Sequence, residues 1–403
     1  MPAEVSTGDA RLLEFLRDLV RIDSTPGREK EVVGRIADEM RHLGYDDSYV
    51  DEAGNAVGRV GEGGPVVLID CHVDTIPNHS PGRWSHDPFS ADVAGGRVYG
   101  LGVCDMKASA AAAIYGVARL IASAEKPGGT VYVVSSIAEE MMEGAALAYT
   151  FDRCRPDAAI IGEPSELRLC IGQRGRAKVE VEVKGEACHA GHAEVGINAA
   201  EWMADLVRSV AALSHPMHPV LGKRSVTLID IHSEPYPSVS TVPASCLARF
   251  DCRFAPGETK ETLVDLVSHQ AAGWAARDRH PELDCHVYVA EFDTFSGRRY
   301  AVPEYAAAWL TPADSAIVTA SLAGLTEAGL PALTATYGFC TNGSLTAGLR
   351  GVPTVGYGIG REQDAHTVDE YVDLDNLYRG TTGYQAIIGA LLKAPIARGG
   401  ARS

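Results

Sequence analysis

The sequence predicts an α/β protein that has a mixed, largely parallel sheet and a smaller inserted α+β domain. Strand-like runs alternate with helical patterns over the first 175 residues, which is typical of βα units in an open sheet. Over residues 176–292 the order becomes β-α-β-β-α-β, which is typical of a ferredoxin-like domain. The βα pattern then resumes. We therefore expect one domain from residues 1–175 and 293–403, interrupted by a second domain at 176–292.

Each element is predicted from the spacing of its apolar residues. Apolar positions three and four apart predict helices, and alternating or continuous β-branched runs predict strands. Gly44 supplies the left-handed end of the second helix, and the helix after Lys107 is rich in alanine, which permits close packing on a sheet. The elements expected in the first part are helices at 9–21, 32–44 and 108–124 and strands at 56–60, 66–71, 130–138 and 158–162.

The same patterns predict the insert and the last part of the chain. In the insert we expect strands at 177–184, 225–231, 245–254 and 283–291 and helices at 198–213 and 260–276. In the last part we expect helices near 313–329 and 377–392 and a strand at 352–357. The insert is long enough to form an independent small domain.

Side chains that can bind a metal follow three of the predicted strands. One strand ends in His72 and Asp74, which are two residues apart and so point the same way in an extended chain. Another ends in Glu139 and Glu140, and a third ends in Glu163. Because ligand sites in open α/β sheets lie outside the carboxyl ends of the strands, we expect these residues to converge.

The charge balance argues against a nucleic-acid or membrane partner. The chain carries 36 basic and 53 acidic residues, so its formal net charge is −17, and a strongly negative protein repels phosphate-rich surfaces. No uncharged apolar run approaches the roughly 20 residues of a membrane span, and no signal-peptide pattern opens the chain. The nine cysteines are scattered without a CxxC pair, which favours reduced thiols and a cytoplasmic protein.

Seven motifs occur in order along nearly the whole chain. They are CHVDTIP, WSHDPFSADVAGGRVYGLGVCDMKAS, AEE, IGEP, CHAGHAEVGINA, DCRFAPGET and DAHTVDE. With these motifs the chain resembles the dinuclear-zinc amidohydrolase and exopeptidase family, whose members include acetylornithine deacetylase, succinyl-diaminopimelate desuccinylase, aminoacylase and the glutamate carboxypeptidases. The resemblance implies a zinc-exopeptidase-like catalytic domain and an inserted domain that serves as a lid and as a dimerisation surface.

The resemblance also implies a set of metal ligands. His72 and Glu163 would hold one zinc ion, Glu140 and His366 would hold the other, and Asp105 would bridge both. Carboxylate and imidazole ligands without thiolates suit a catalytic zinc pair with open positions. The implied cofactors are two Zn²⁺ per subunit, although sites rich in oxygen and nitrogen also accept Co²⁺ or Mn²⁺.

Two further carboxylates receive roles from the resemblance. Asp74 would brace His72, and Glu139 would be the general base. Adjacent residues at a strand end point in different directions, so Glu140 can ligate while Glu139 handles protons. The family also carries a cis peptide bond just after the bridging aspartate, which predicts a cis bond at Asp105-Met106.

Substrate contacts are expected from the insert and from one turn. His189 resembles the lid histidine that reaches into the active site of the other subunit and stabilises a tetrahedral oxyanion. Arg253 resembles the lid arginine that grips a substrate carboxylate in two-point fashion. Arg174 at the hinge and Asn342, in a turn that departs from the family's acid-containing version, are further candidates. A lid of this kind implies a homodimer formed through the inserted domain.

Each candidate residue also has an ordinary structural explanation. The pair of glutamates after the second strand could be a solvated acidic turn, and His366 and His189 could be exposed loop residues. Asp105 could be a carboxylate that stabilises the amino terminus of the alanine-rich helix. Arg253 could form a surface salt bridge with Asp251.

The sequence therefore predicts a metal-dependent hydrolase that cleaves the amide bond of an N-acyl amino acid through a zinc-bridging water and a glutamate base. The same dizinc site also fits a dipeptidase or carboxypeptidase, so the small-molecule substrate is an N-acyl amino acid or a dipeptide. A non-catalytic binding relative is disfavoured because every expected ligand and the base are present. A nucleotide-dependent α/β enzyme is disfavoured because the sequence has no GxxxxGK[ST] loop.

Overall fold

The computed structural model describes residues 7–123 and 128–396, which form two compact units. The first unit comprises the described residues up to Gln173, Glu291–Tyr300 and those from Trp309 onward. The second unit comprises Arg174–Ala290 and Ala301–Ala308. The second unit thus begins at Arg174 rather than at residue 176, and it includes a short return segment that we had expected in the last part of the chain.

Helices and strands follow one another along both units. The helices are α1 (Thr7–Arg21), α2 (Lys30–His42), α3 (Ala108–Ile121), α4 (Leu147–Cys154), α5 (Ala199–Ala211), α6 (Lys260–Ser268), α7 (Ala316–Glu327) and α8 (Leu374–Leu391). The strands are β1 (Asp47–Val50), β2 (Ala56–Gly61), β3 (Val66–Asp70), β4 (Val93–Ala94), β5 (Arg97–Tyr99), β6 (Thr130–Ser135), β7 (Ala158–Ile161), β8 (Leu169–Gln173), β9 (Gly175–Lys184), β10 (Met217–His218), β11 (Gly222–Lys223), β12 (Ser225–Glu234), β13 (Ser245–Phe254), β14 (Glu282–Val287), β15 (Val289–Asp293), β16 (Arg299–Pro303), β17 (Tyr305–Ala306), β18 (Trp309–Leu310), β19 (Thr334–Tyr337), β20 (Thr354–Gly356) and β21 (Tyr371–Asp373).

A mixed sheet of nine strands forms the centre of the first unit. Its order is β1-β2-β6-β3-β7-β20-β8-β18, and β19 also pairs with β8. The pairs β3 with β6, β3 with β7, β7 with β20 and β8 with β19 are parallel, and the other pairs are antiparallel. The parallel strands β6, β3, β7 and β20 therefore lie side by side in the middle of the sheet.

Helices bury the central strands. Strand β3 and strand β7 are almost wholly buried, as expected for parallel strands covered on both faces. Close packing of α3 on α8 depends on small residues, since a Cβ at Gly116 would lie 2.9 Å from the Cβ of Tyr384. The alanine-rich sequence of α3 serves this close approach. The predicted end of this helix at Ala124 lies outside the described residues.

Several elements of the first unit were missed by the sequence analysis. Helix α4 is only eight residues long, and strands β8 and β19 are interrupted by polar or glycine residues that weaken the strand pattern. The predicted strands at 130–138 and 352–357 are shorter in the structure, at Thr130–Ser135 and Thr354–Gly356. The residues lost from the first of these strands form the turn that leads to Glu139.

The second unit contains the expected β-α-β-β-α-β order. Its antiparallel sheet has the order β12-β13-β9-β14, with β17 also paired to β9. Alternate residues of β9 and β13 are buried, and they pack with the apolar faces of α5 and α6 in one core. The opposite face of this sheet carries charged residues, because period-two alternation separates the two sides of each strand.

Two further observations concern the whole described chain. Among residues 7–123 and 128–396, no helix combines the length and apolar character needed to cross a membrane. All nine cysteines are free thiols.

Candidate active site

Three candidate segments of the first unit meet because their strands are neighbours. Asp70 at the end of β3 lies opposite Val134 of β6 on one side and Ile161 of β7 on the other. The chain leaves all three strands at the same edge of the sheet, as parallel strands require. The side chains of His72, Glu139 and Glu163 consequently have ligand atoms within 4.8 Å of one another.

The first half of the site is centred on His72. Its Nε2 lies 3.0 Å from Oδ1 of Asp105 and 3.6 Å from Oε1 of Glu163. All three side chains are at least nine-tenths buried. The second oxygen of Glu163 is buried without a hydrogen-bond partner among the described residues. A carboxylate oxygen in that condition is unfavourable unless a cation or another donor accompanies it.

The second half of the site is centred on His366. Its Nε2 lies 2.8 Å from Oε1 of Glu140 and 3.2 Å from Oδ2 of Asp105. Asp105 therefore presents Oδ1 to His72 and Oδ2 to His366. One carboxylate that divides its two oxygens between two histidine-carboxylate pairs has the arrangement of a bridging ligand.

The main-chain carbonyl and the side-chain carboxylate of Asp74 have different hydrogen-bond partners. Its carbonyl oxygen lies 3.0 Å from Nδ1 of His72, whereas its carboxylate is 3.6 Å from the same nitrogen. A proton on Nδ1 is thereby directed to the carbonyl, which leaves the Nε2 lone pair for a metal. The Asp74 carboxylate instead accepts the backbone N–H groups of Glu139 at 3.1 Å and Glu140 at 3.0 Å.

Glu139 is buried beside the first half of the site. It belongs with His72 and Glu163 to one cluster of candidate ligands, and its Oε1 has no hydrogen-bond partner in the described residues. Burial raises the pKa of the Glu139 carboxyl well above its usual value, although His72 acts in the opposite direction. A buried carboxyl with a raised pKa is suited to accept and return a proton near neutral pH.

Acidic side chains outnumber the imidazoles in this cluster of candidate metal ligands. Burial raises the pKa of Glu163, and the charge of Asp105 raises it further. Burial lowers the pKa of His72, but neighbouring carboxylates, Glu163 foremost, outweigh burial and leave that pKa well above its usual value. Hydrogen bonds to Asp105 and Glu140 raise the pKa of His366 to about 10. Four acidic side chains around two imidazoles call for positive charge, so the residues fit a pair of divalent ions.

The segment that carries Asp105 has an irregular backbone. Val103–Lys107 forms a π-helical turn in which Asp105 is non-helical, with φ −120° and ψ 91°. The peptide bond between Asp105 and Met106 is cis, which confirms that prediction. His366 has a positive φ of 59°, a conformation that few residues other than glycine adopt. Both candidate ligands thus depend on local conformations that surrounding contacts must hold.

Glu370 provides such contacts, and sequence reasoning gave it no role. Its Oε1 accepts the N–H groups of Cys104 at 2.7 Å and Asp105 at 3.0 Å, and its Oε2 accepts the N–H of Gly102 at 2.9 Å. Burial raises the pKa of Glu370 to about 8, while the three N–H groups favour its ionised form. The only signal in the sequence was an acid four residues after a candidate histidine, which is too common to be informative.

Two predicted substrate-binding residues, Arg253 and Arg174, and the predicted oxyanion-stabilising residue His189 lie in the second unit. Arg253 forms a two-point ion pair with Asp251, with its Nε and one terminal nitrogen at 2.7 and 3.2 Å from the carboxylate oxygens. Arg174 donates to the carbonyl of Lys223 at 3.1 Å. His189 is exposed and accepts the N–H of Gly191 on Nδ1 at 3.0 Å. The ordinary explanation considered for Arg253, a salt bridge, is therefore present.

Asn342, the third predicted substrate-binding residue, is buried in the first unit. Its Nδ2 donates to Oδ2 of Asp70 at 2.7 Å and to Oγ of Ser136 at 3.1 Å, and its Oδ1 accepts the N–H of Gly144. These contacts use both ends of the side-chain amide inside the protein. The geometry favours a structural role for Asn342, in which it ties the turn after β6 to the end of β3, over the substrate contact that we predicted.

Comparison with known proteins identifies the family. The sequence model of peptidase family M20/M25/M40 matches residues 68–390. The chain belongs to peptidase family M20/M25/M40. The match spans every candidate residue of the active site, and it confirms the family resemblance seen in the seven motifs. The chain is therefore a metallohydrolase that acts on amide or peptide bonds.

Relatives of this M20/M25/M40 protein match it over almost its full length. The uncharacterized protein YgeY of Escherichia coli (strain K12) is 29% identical over 384 residues, which cover 94% of each chain. The aminopeptidase PepT from Bacillus cereus has an 18% identical sequence and a TM-score of 0.74, with 95% of this chain and 98% of that chain covered. The Bacillus subtilis YXEP protein, a dinuclear metal binding peptidase of the M20 family, is 14% identical with a TM-score of 0.70, at 96% and 99% coverage. These structures confirm the predicted fold class.

The contacts of Glu370 lead to a prediction about metal affinity. In Glu370→Gln one oxygen is replaced by an NH₂ group that cannot accept, so at least one of the three N–H groups loses its partner. We expect zinc affinity to fall roughly 10–100-fold, as is usual when an outer contact of a metal ligand is lost. Competition with a fluorescent chelator measures this affinity. Glu327→Gln, an exposed change on α7, is the matched control, and equal affinities of the two variants would contradict the role of Glu370.

The raised pKa values of His72 and His366 lead to a prediction about pH. The raised pKa of each imidazole favours its protonated form in the metal-free protein, and a metal binds only the neutral form, so we expect binding to displace protons. We expect zinc affinity to rise with pH by about one order of magnitude per pH unit for each proton released. Titration calorimetry at pH 7 in buffers of different ionisation enthalpy counts these protons, and a heat that is independent of the buffer would contradict the prediction.

Proposed function

We propose that this protein hydrolyses the amide bond of an N-acyl amino acid and uses two Zn²⁺ ions per subunit for this reaction. Co²⁺ or Mn²⁺ can replace Zn²⁺ in the proposal. The observation that carries the proposal is the position of Asp105, whose two oxygens face His72 and His366 separately. Glu163 completes the first ligand group and Glu140 the second. A pair of divalent ions held by these residues would polarise a substrate carbonyl and make water more acidic.

Side chains of the protein carry out the proton transfers of the reaction. Glu139 takes a proton from the attacking water as the water oxygen bonds to the carbonyl carbon. The same carboxyl returns that proton to the amide nitrogen as the carbon–nitrogen bond breaks, so the products are a carboxylic acid and an amine. Asp74 supports this exchange because it fixes the backbone of both Glu139 and Glu140 while its carbonyl orients His72.

A dipeptidase or carboxypeptidase is the second candidate function. The same ligands and the same base would serve it, and the B. cereus neighbour in the fold comparison is an aminopeptidase. Amine release from a panel of N-acyl amino acids and dipeptides, followed by mass spectrometry with zinc-loaded and chelated protein, separates the two. Hydrolysis of dipeptides alone would overturn the deacylase in favour of the second candidate.

The second unit is proposed as a lid and as the surface of a homodimer. His189 accepts a hydrogen bond on Nδ1, so its neutral ring carries the proton on Nε2, which is the donor that an oxyanion needs. We assign this role to His189 in the active site of the other subunit, and we assign recognition of the substrate carboxylate to Arg253 and Arg174. The reduced cysteines are consistent with a cytoplasmic location, which also stays a prediction.

The edge strand of the second unit supports the dimer. Strand β12 lies at the end of its sheet, so one row of its backbone N–H and C=O groups has no strand partner in the described residues. Ile229 and Ile231 on this strand are 53% and 47% exposed. Natural proteins usually protect such an edge with charge or cover it, and a second copy would cover both the edge and the apolar side chains.

Loss of the general base gives the first test. Glu139→Gln removes the proton acceptor but keeps the size of the side chain, so turnover should fall by roughly 10²–10⁴-fold. The zinc content, measured by atomic emission, should stay at two ions per subunit because Glu139 is not among the proposed ligands. Glu327→Gln controls for the change of charge, and near-normal turnover in Glu139→Gln would remove Glu139 from the mechanism.

Disruption of the edge strand gives the second test. A lysine at both Ile229 and Ile231 places two positive charges on each side of the proposed interface, so we expect a monomer in multi-angle light scattering. Lysine at the exposed Val50 of the first unit is a matched control that should stay dimeric. A wild-type protein that is monomeric across micromolar concentrations would contradict the dimer.

A further inference from the structure

A small groove lies beside His366 in the first unit. Its volume is about 70 Å³, and its apolar walls come from Ile76, Pro77, Trp84, Leu101 and Val368. Leu101 is buried, whereas Ile76, Trp84 and Val368 are half-buried. The groove therefore adjoins the second half of the proposed metal centre, and neither the sequence analysis nor the family comparison gave it a role.

The polar groups around the groove are largely engaged within the protein. Oδ1 of Asn78 accepts the indole N–H of Trp84 at 3.2 Å and the backbone N–H of Ser80 at 3.0 Å. The hydroxyl of Thr367 donates to the carbonyl of Asp364 at 2.7 Å. These contacts hold the groove walls in place without a ligand, which reduces the entropy that binding would cost.

The loops on the two sides of the groove are tied to each other. The carboxylate of Asp369 accepts the backbone N–H of Ser85 at 2.7 Å and that of His86 at 3.3 Å. Ser85 directly follows Trp84, and Asp369 directly follows Val368. The distance between these two walls, and so the width of the groove, is set by this carboxylate.

The lining of the groove includes two histidines, His79 and His366, and His366 would be neutral once it binds a metal. Among the described residues that line it, none is Lys, Arg, Asp or Glu. The imidazole nitrogen Nε2 of His366 already lies against Glu140 and Asp105. A carboxylate or an ammonium that entered this groove would lose its hydration without gaining an ion pair, which is strongly unfavourable.

We propose that this groove receives the acyl half of the substrate and selects a small uncharged acyl group; the inference rests on the function proposed above. The amino-acid half of an N-acyl amino acid carries a carboxylate and so needs a cation, which the groove lacks. The acyl half of a dipeptide carries an ammonium, and a succinyl group carries a second carboxylate. Acetyl, propionyl, butyryl and carbamoyl groups carry neither charge.

The size of the groove agrees with this class of ligand. One ordered water needs roughly 10–15 Å³ of such space, so 70 Å³ holds a group of a few heavy atoms. The apolar walls stabilise a short aliphatic chain, and each buried CH₂ adds to affinity until the space is full. The groove thus favours short acyl chains as well as neutral ones.

Two pairs of substrates test the charge requirement directly. N-propionyl and glycyl derivatives of one amino acid differ by a methyl group in place of an ammonium, and N-butyryl and N-succinyl derivatives differ mainly by a carboxylate. We expect kcat/KM of the zinc-loaded enzyme to favour the uncharged member of each pair by roughly tenfold or more. Equal or reversed preferences would overturn the inference.

A charge placed in the groove provides the second arm of the experiment. Val368→Lys should raise the succinyl-to-butyryl ratio of kcat/KM by roughly tenfold, because the ammonium then meets the succinyl carboxylate. Ile76→Lys on the opposite wall is a second variant if the first folds poorly. Val93→Lys, an exposed change outside the groove, is the matched control and should leave the ratio unchanged.

The outcomes separate this inference from the proposed function. If the enzyme hydrolyses the panel but the groove variants behave like Val93→Lys, the groove is not the acyl site and the deacylase remains. If zinc-loaded wild type releases no amine from any member of the panel, the proposed function fails and the inference fails with it. A shift in the ratio with both groove variants supports the inference.

Discussion

The buried carboxylates around two histidines are the constraint on which the first unit depends. Asp105, Glu139 and Glu163 are nearly removed from water, and their mutual repulsion is relieved in part by His72 and His366. Such a cluster is unfavourable unless its members are held in place and neutralised. The surrounding structure meets the first need with backbone hydrogen bonds, and divalent cations would meet the second.

Two acidic residues that are not proposed ligands hold the ligands in position. The Asp74 carboxylate accepts hydrogen bonds from the backbone N–H groups of Glu139 and Glu140. The Glu370 carboxylate accepts hydrogen bonds from those of Gly102, Cys104 and Asp105. In both cases a buried carboxylate restrains main chain rather than side chain. Irregular segments that carry reactive groups need this kind of support, because regular secondary structure does not fix their backbone.

The segment from His366 to Glu370 connects several parts of the site. His366 faces Glu140 and Asp105, Asp369 holds the loop at Ser85 that borders the groove, and Glu370 holds the turn at Asp105. A proposed metal ligand and one wall of the groove are therefore built on the same short stretch of chain. A change in the groove can therefore also disturb the side chains of the proposed metal centre.

Local sequence determined the parts of this protein that depend on periodicity and strand order. The parallel strands that end at His72, Glu139 and Glu163 could be predicted, and so could their convergence, because parallel strands finish at one edge of a sheet. Contacts between distant segments could not be predicted. The tertiary structure alone decided that Asn342 is used internally, that the Asp74 carboxylate holds the backbone of Glu139 and Glu140, and that Glu370 supports Asp105. Each of these depends on hydrogen bonds between distant segments that no local pattern encodes.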